Sequence, residues 1–145
     1  MFRVIDHCTI YLLIAGSYTP ITLCALRPSH PVAAWVIFGI VWGSAIFAIT
    51  FTAIDLARFK RLSMICYLAM GWCVIFYIRE IAQVIGSRGT ALLIWGGVLY
   101  TLGAILYIIG KMKKIKYIHS VFHLFVLGGS ILHFLMILLY IIPLA

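Results

Sequence analysis

Two histidines, His119 and His123, lie one helical turn apart in KMKKIKYIHSVFHLFVLGGSILHF, residues 111–134, where a basic stretch runs into an apolar one. Residues at i and i+4 share a helix face, so both imidazoles can reach one ion. Ionisable side chains inside apolar membrane segments are costly and usually face the protein interior, where they pair, bind ions or do chemistry. HxxxH is thus a candidate half of a zinc site. A catalytic zinc keeps one position for water, so a third protein group from another helix is required. Asp6 and His7, at the start of the first apolar run, are the candidates to supply that contact, directly or through the water. The competing reading is a pair of buried, hydrogen-bonded histidines with no metal. Haem is a further alternative: its axial ligands come from opposite sides of the ring, so His119 and His123 cannot both serve, and His7 would have to face one of them. His133 lies about 15 Å or more further along the axis, so an interhelical hydrogen bond is expected for it. His30 reads as an outer-loop residue.

The elements that must position these groups follow from composition. Of 145 residues, 66% are hydrophobic and 10% charged, with a mean hydropathy of +1.20. No water-soluble domain of this size could cover such a chain with polar surface. Crossing a hydrocarbon core about 30 Å thick takes roughly 20 apolar residues. Five runs qualify: Asp6 to Leu26, Val32 to Ile54, Leu62 to Val84, Ala91 to Ile109 and Tyr117 to Ile142. The connections RPSHP, DLARFKR, GSRGT and KMKKIK are short, which forces antiparallel neighbours in an up-and-down, all-α membrane bundle forming a single domain over 1–145.

Eleven Lys and Arg against three acids give a net charge of +8. The bases fall in the gaps between apolar runs, a topology signal rather than a nucleic-acid surface. Arg3, then Arg58, Lys60 and Arg61, then Lys111, Lys113, Lys114 and Lys116 mark one side, against Arg27 and Arg88 in the first and third loops. The N-terminus and loops two and four are expected in the cytoplasm and the C-terminus outside. His119, His123, Asp6 and His7 then share the inner leaflet.

Pro20 should kink the first helix, with Ser17 or Thr19 helping to satisfy the freed carbonyls. Gly71, Gly96, Gly97, Gly103, Gly128 and Gly129 allow close helix approach, with no outstanding GxxxG. Trp35 and Trp95 suit interfacial anchoring. Arg79 and Glu80, near the outer end of the third helix, suit snorkelling or an interfacial pair. Cys8, Cys24, Cys66 and Cys73 show no CxxC spacing and read as small apolar fillers. Asp6 at the head of the first run, with no clear cleavage site after it, argues that this run is retained rather than removed as a signal peptide.

DHCTIYLLIAGSYTPITL at 6–23 and HSVFHLFVLGGSILHF at 119–134 resemble the two signature regions of the bacterial hemolysin III proteins, within the progestin and adipoQ receptor (PAQR) family. The resemblance implies a seven-helix bundle in the cell membrane, the inner membrane of a bacterium, with a zinc site near the cytoplasmic face. His119 and His123 match two of its three metal histidines. Asp6 matches the aspartate placed to hydrogen-bond the zinc-bound water, a catalytic role. The family's third histidine comes from an SxxxH motif, which is absent from these 145 residues. The five helices are therefore expected to correspond to helices three to seven, with two N-terminal helices missing.

The leading functional expectation is a zinc-dependent hydrolase of lipid amides or esters, by analogy with related metal-site membrane proteins such as alkaline ceramidases. A cytolytic, hemolysin-type protein is the alternative, although the nearly apolar helices lack the polar stripe a pore requires. A non-enzymatic role in membrane homeostasis or sensing, with zinc as a structural clamp, is the third. The expected partners are membrane lipids, together with further copies of the chain at exposed helix faces.

Overall fold

The computed structural model describes residues 2–144, and every regular element among them is helical. The side chains of Phe2, Arg3, Leu56, Ala57, Lys60 and Arg61 lie outside the described set, including three bases used for orientation. Helix α1, Phe2–Pro20, continues as a π-helical segment, Ile21–Leu26. α2 spans Pro31–Ile54, and α3, Leu56–Trp72, runs on into a 3-10 segment, Cys73–Tyr77. α4 covers Ile78–Met112. α5, Ile118–Met136, ends in a π-helical segment, Ile137–Ile141, and a 3-10 turn, Ile142–Leu144.

Four stretches are long and apolar enough to span a membrane, and one of them, Leu62–Met112, has 51 residues. Unbroken, it would reach more than twice across the hydrocarbon core. It breaks at Gly86, whose φ of 72° and ψ of 177° only glycine adopts without strain. The Tyr67 hydroxyl donates to the Tyr100 carbonyl at 3.0 Å, and the Trp72 indole N–H donates to the Thr101 hydroxyl at 3.0 Å. Those pairs join residues on either side of Gly86, so the chain doubles back there and makes five passes. GSRGT, expected as a loop, is a one-residue break between helices.

DLARFKR is also more helical than its charge suggests. Asp55 caps α3, its carboxylate accepting from the Arg58 N–H at 3.1 Å. The helix thus starts at Leu56, six residues before the expected Leu62. A cap residue sets a helix start whatever the polarity that follows, and charged turns are stable where a helix extends beyond the hydrocarbon. At Pro20 the helix widens into its π-helical segment instead of stopping. Ser17 donates to the Ile14 carbonyl at 2.9 Å and Thr19 to that of Ala15 at 3.0 Å. Thr19 also accepts from the Trp42 indole at 3.1 Å, tying α1 to α2.

Aromatic hydroxyls join the helices in series. Tyr11 on α1 donates to the Ser63 carbonyl on α3 at 2.9 Å and also contacts the Ser63 hydroxyl. Tyr18 donates to the Gly71 carbonyl at 2.7 Å and accepts from the Val74 N–H at 3.2 Å. The change to 3-10 winding after Trp72 leaves those backbone groups in need of partners. From α4, the Tyr100 hydroxyl lies 2.8 Å from that of Ser130 on α5.

α4 meets α5 along Gly89, Gly96, Gly103 and Gly110, a stripe of period seven whose members are all buried. A Cβ at these positions would meet Tyr140, His133, Phe125 and Ile118 respectively, an antiparallel register running the length of the pair. At Gly96 the clash would fall 2.3 Å from the imidazole of His133. Absence of a side chain there makes room for a whole ring. This regularity escapes a search for GxxxG because its repeat is seven residues.

Candidate metal centre

α5 is started by its loop. Tyr117 adopts a left-handed conformation, φ 64°, and its carbonyl accepts from the N–H groups of Ser120 and Val121, so helical winding begins at Ile118. His119 therefore falls in the first turn and His123 one turn later. Gly110 lets Ile118 seat against α4. Behind the pair, the Tyr107 ring lies 6.0 Å from that of His119 and 5.3 Å from that of Phe122. These aromatic rings hold the imidazoles toward α1.

α1 brings Asp6 to the same point. Its Oδ2 lies 3.1 Å from His119 Nε2 and 3.0 Å from His123 Nε2, and the two Nε2 atoms are 3.0 Å apart. Asp6 Oδ2 is buried and accepts no hydrogen bond, although two imidazole nitrogens crowd it. Hydrogen bonds need an N–H aimed along the donor–acceptor line. The three ligand atoms lie close enough together to share one ion. Zinc binds nitrogen and carboxylate oxygen at about 2.0–2.2 Å, which asks for ligand atoms near the spacing seen here. The set of two imidazoles and one carboxylate fits zinc chemistry. Asp6, His119 and His123 are also the group of metal-ligating type that converges among the described residues.

The site is open on one side. The His119 and His123 side chains are 41% and 37% exposed, and that of Asp6 is 24% exposed. Exposed beside them are Ile5 on α1 and Ser120 and Leu124 on α5.

His7, the alternative contact, does not join them. It is buried, lining a small cavity between α1 and α3 with Tyr11, Ser63 and Tyr67. Consecutive helical residues point about 100° apart, so Asp6 and His7 cannot share a target. His133 is buried further down α5 with Nε2 3.1 Å from the Leu93 carbonyl of α4, the expected interhelical bond. His30 is exposed in the α1–α2 turn. The residues missed in the sequence are Tyr107 and Phe122, whose only signal was helical spacing from the histidines.

The family model described as Haemolysin-III related matches residues 1–134. The chain belongs to the haemolysin-III-related family. Hemolysin-3 of Bacillus cereus is 40% identical over 145 residues, which is 100% of this chain and 64% of that protein. The Hemolysin-3 homolog of Bacillus subtilis (strain 168) is 39% identical over 140 residues, 97% of this chain and 63% of the relative. The chain thus spans less than two thirds of either relative's length. The human monocyte to macrophage differentiation factor is 26% identical over 134 residues, 92% of this chain and 52% of that protein, which supports the wider PAQR relationship. No solved structure matches. Family and apolar helices together make this haemolysin-III-related chain an integral membrane protein.

Proposed function

We propose that Asp6, His119 and His123 hold a zinc ion at the inner leaflet of the cell membrane, and that the site hydrolyses lipid esters or amides. The observation that carries this reading is the convergence of three ligand atoms, one of them a buried carboxylate oxygen without a hydrogen bond. Zinc bound there supplies a Lewis acid and lowers the pKa of water toward neutrality. The Tyr107 and Phe122 rings pack against the imidazoles, whose Nε2 atoms face Asp6. Asp6 presents one oxygen to the centre, and its carboxylate accepts a proton from the attacking water and passes it to the departing alcohol or amine. The acyl C–O or C–N bond breaks and the water oxygen stays with the acyl group. The open side of the site lets a lipid reach it without leaving the bilayer. The basic turns at this end of the bundle support the cytoplasmic assignment.

Elemental analysis of purified protein tests the metal. Zinc near one per chain, lost in His119→Ala/His123→Ala and in Asp6→Ala, is the expected result. Zinc that persists in all the variants would overturn the assignment. Release of fatty acid from ester and amide lipids, abolished by the same substitutions, tests turnover.

A further inference from the structure

The α4–α5 loop carries more than topology requires. α4 closes with the two hydrogen bonds of a Schellman cap, Ile115 N–H to the Gly110 carbonyl at 2.8 Å and Lys114 N–H to that of Lys111 at 3.2 Å. The left-handed position of such a cap usually holds glycine, but here it holds Lys114 at φ 53°. Tyr117, three residues on, is left-handed as well, and these are the non-glycine residues with positive φ among those described. A lysine and a tyrosine thus occupy positions where glycine would cost less. The loop leaves Lys113, Lys114 and Lys116 exposed among the exposed apolar side chains of Met112, Ile115 and Tyr117. Such interleaving suits a segment seated at the headgroup level, its apolar groups in the membrane and its ammonium groups on phosphate.

We infer that this loop is the headgroup clamp of an anionic glycerophospholipid whose acyl ester reaches the Asp6, His119 and His123 centre. The inference rests on the proposed hydrolase for its chemistry and on the loop for its selectivity. Lys116 lies in the turn just before α5, three residues ahead of His119, so the loop adjoins the end of the helix that carries the histidines. In a glycerophospholipid the phosphorus is five bonds from the acyl carbon of the central ester, a span of roughly 6 Å at ordinary bond lengths. A phosphate held on the lysines therefore places an acyl ester toward the end of α5 that carries the histidines. By sequence position, eight of the eleven bases belong to this end of the bundle, with two of the three acids. That field favours an anionic over a zwitterionic headgroup. Hydrolysis of the ester consumes one water and yields a fatty acid and a lysophospholipid.

Purified full chain in nanodiscs containing equal phosphatidylglycerol and phosphatidylcholine, with matched acyl chains, is analysed for retained lipid by native mass spectrometry. Phosphatidylglycerol should be retained about fivefold over phosphatidylcholine, with Lys113→Gln, Lys114→Gln and Lys116→Gln together abolishing the preference. Lys114→Gly separates folding from binding: it relieves the left-handed strain and should raise the melting temperature while lowering the preference. Equal retention of both lipids by the unaltered chain, or an unchanged preference in the triple variant, would overturn the clamp. Displacement of phosphatidylglycerol by millimolar inorganic phosphate would assign the loop to a soluble anion and overturn it too. The preference should survive in His119→Ala/His123→Ala, so a failure of the metal reading leaves the clamp standing. Zinc and turnover without lipid preference would leave the hydrolase standing and remove the clamp.

Discussion

α5 is held in two different ways along its two sides. Against α4 it packs by shape over its whole length, with four glycines opening the space that Tyr140, His133, Phe125 and Ile118 fill. Toward α1 its described polar meeting point is the group of Asp6 with His119 and His123, near one end. Membrane helices gain little from the hydrophobic effect on association, so close packing and polar contacts carry it. The α4 side is closely packed, with no room for even a methyl group at Gly96, Gly103 or Gly110. The α1 side depends on whatever satisfies three converging polar atoms. On the reading proposed above, a ligand at that point would couple two helices that packing alone leaves loosely joined.

The packed side is the more sensitive of the two. Gly96→Val would drive a side chain into His133 and strip its bond to Leu93, and a loss of about 4 kcal/mol or more is expected. Thermal unfolding in detergent should show the largest drop of any single substitution considered, and a melting point near that of the unaltered chain would contradict the tight interface. On the α1 side, zinc in hundredfold excess over its dissociation constant should stabilise the protein by about 2.7 kcal/mol. Asp6→Asn, similar in shape, should erase that increment while changing the melting point without zinc far less than Gly96→Val does. An Asp6→Asn protein that still gains stability from zinc would remove the carboxylate from the centre.

Between these lies the α1–α3 contact. Tyr18→Phe leaves the Gly71 carbonyl and Val74 N–H without their partner and should cost about 1–3 kcal/mol, read from the same melts. A cost below that range would mean the 3-10 segment rewinds to satisfy itself. The smallest effect is expected at exposed Arg79, where Arg79→Gln should stay within about 0.5 kcal/mol. A larger loss there would uncover a structural role at the far end of the bundle.

Much of the bundle was legible before any coordinates. The apolar runs gave five passes because hydrocarbon thickness dictates their length, and HxxxH with Asp6 pointed to one depth because rise per residue is constant. The errors came where polarity and winding part company. DLARFKR looks like a loop by charge but is a capped helix start, and GSRGT collapses to a single left-handed glycine. His7 beside Asp6 illustrates the remaining ambiguity, since sequence places both at the same depth and only rotation about α1 separates them.

Class, passes and the residue types able to bind a metal were legible in the chain, since they follow from local composition and helical periodicity. Only the packing of the helices settles that Asp6 rather than His7 meets the histidines, that α4 and α5 lock along a period-seven glycine stripe, and that the site is open on one side. Those outcomes depend on how helices rotate and approach one another, which is set by the fit of side chains distant in sequence.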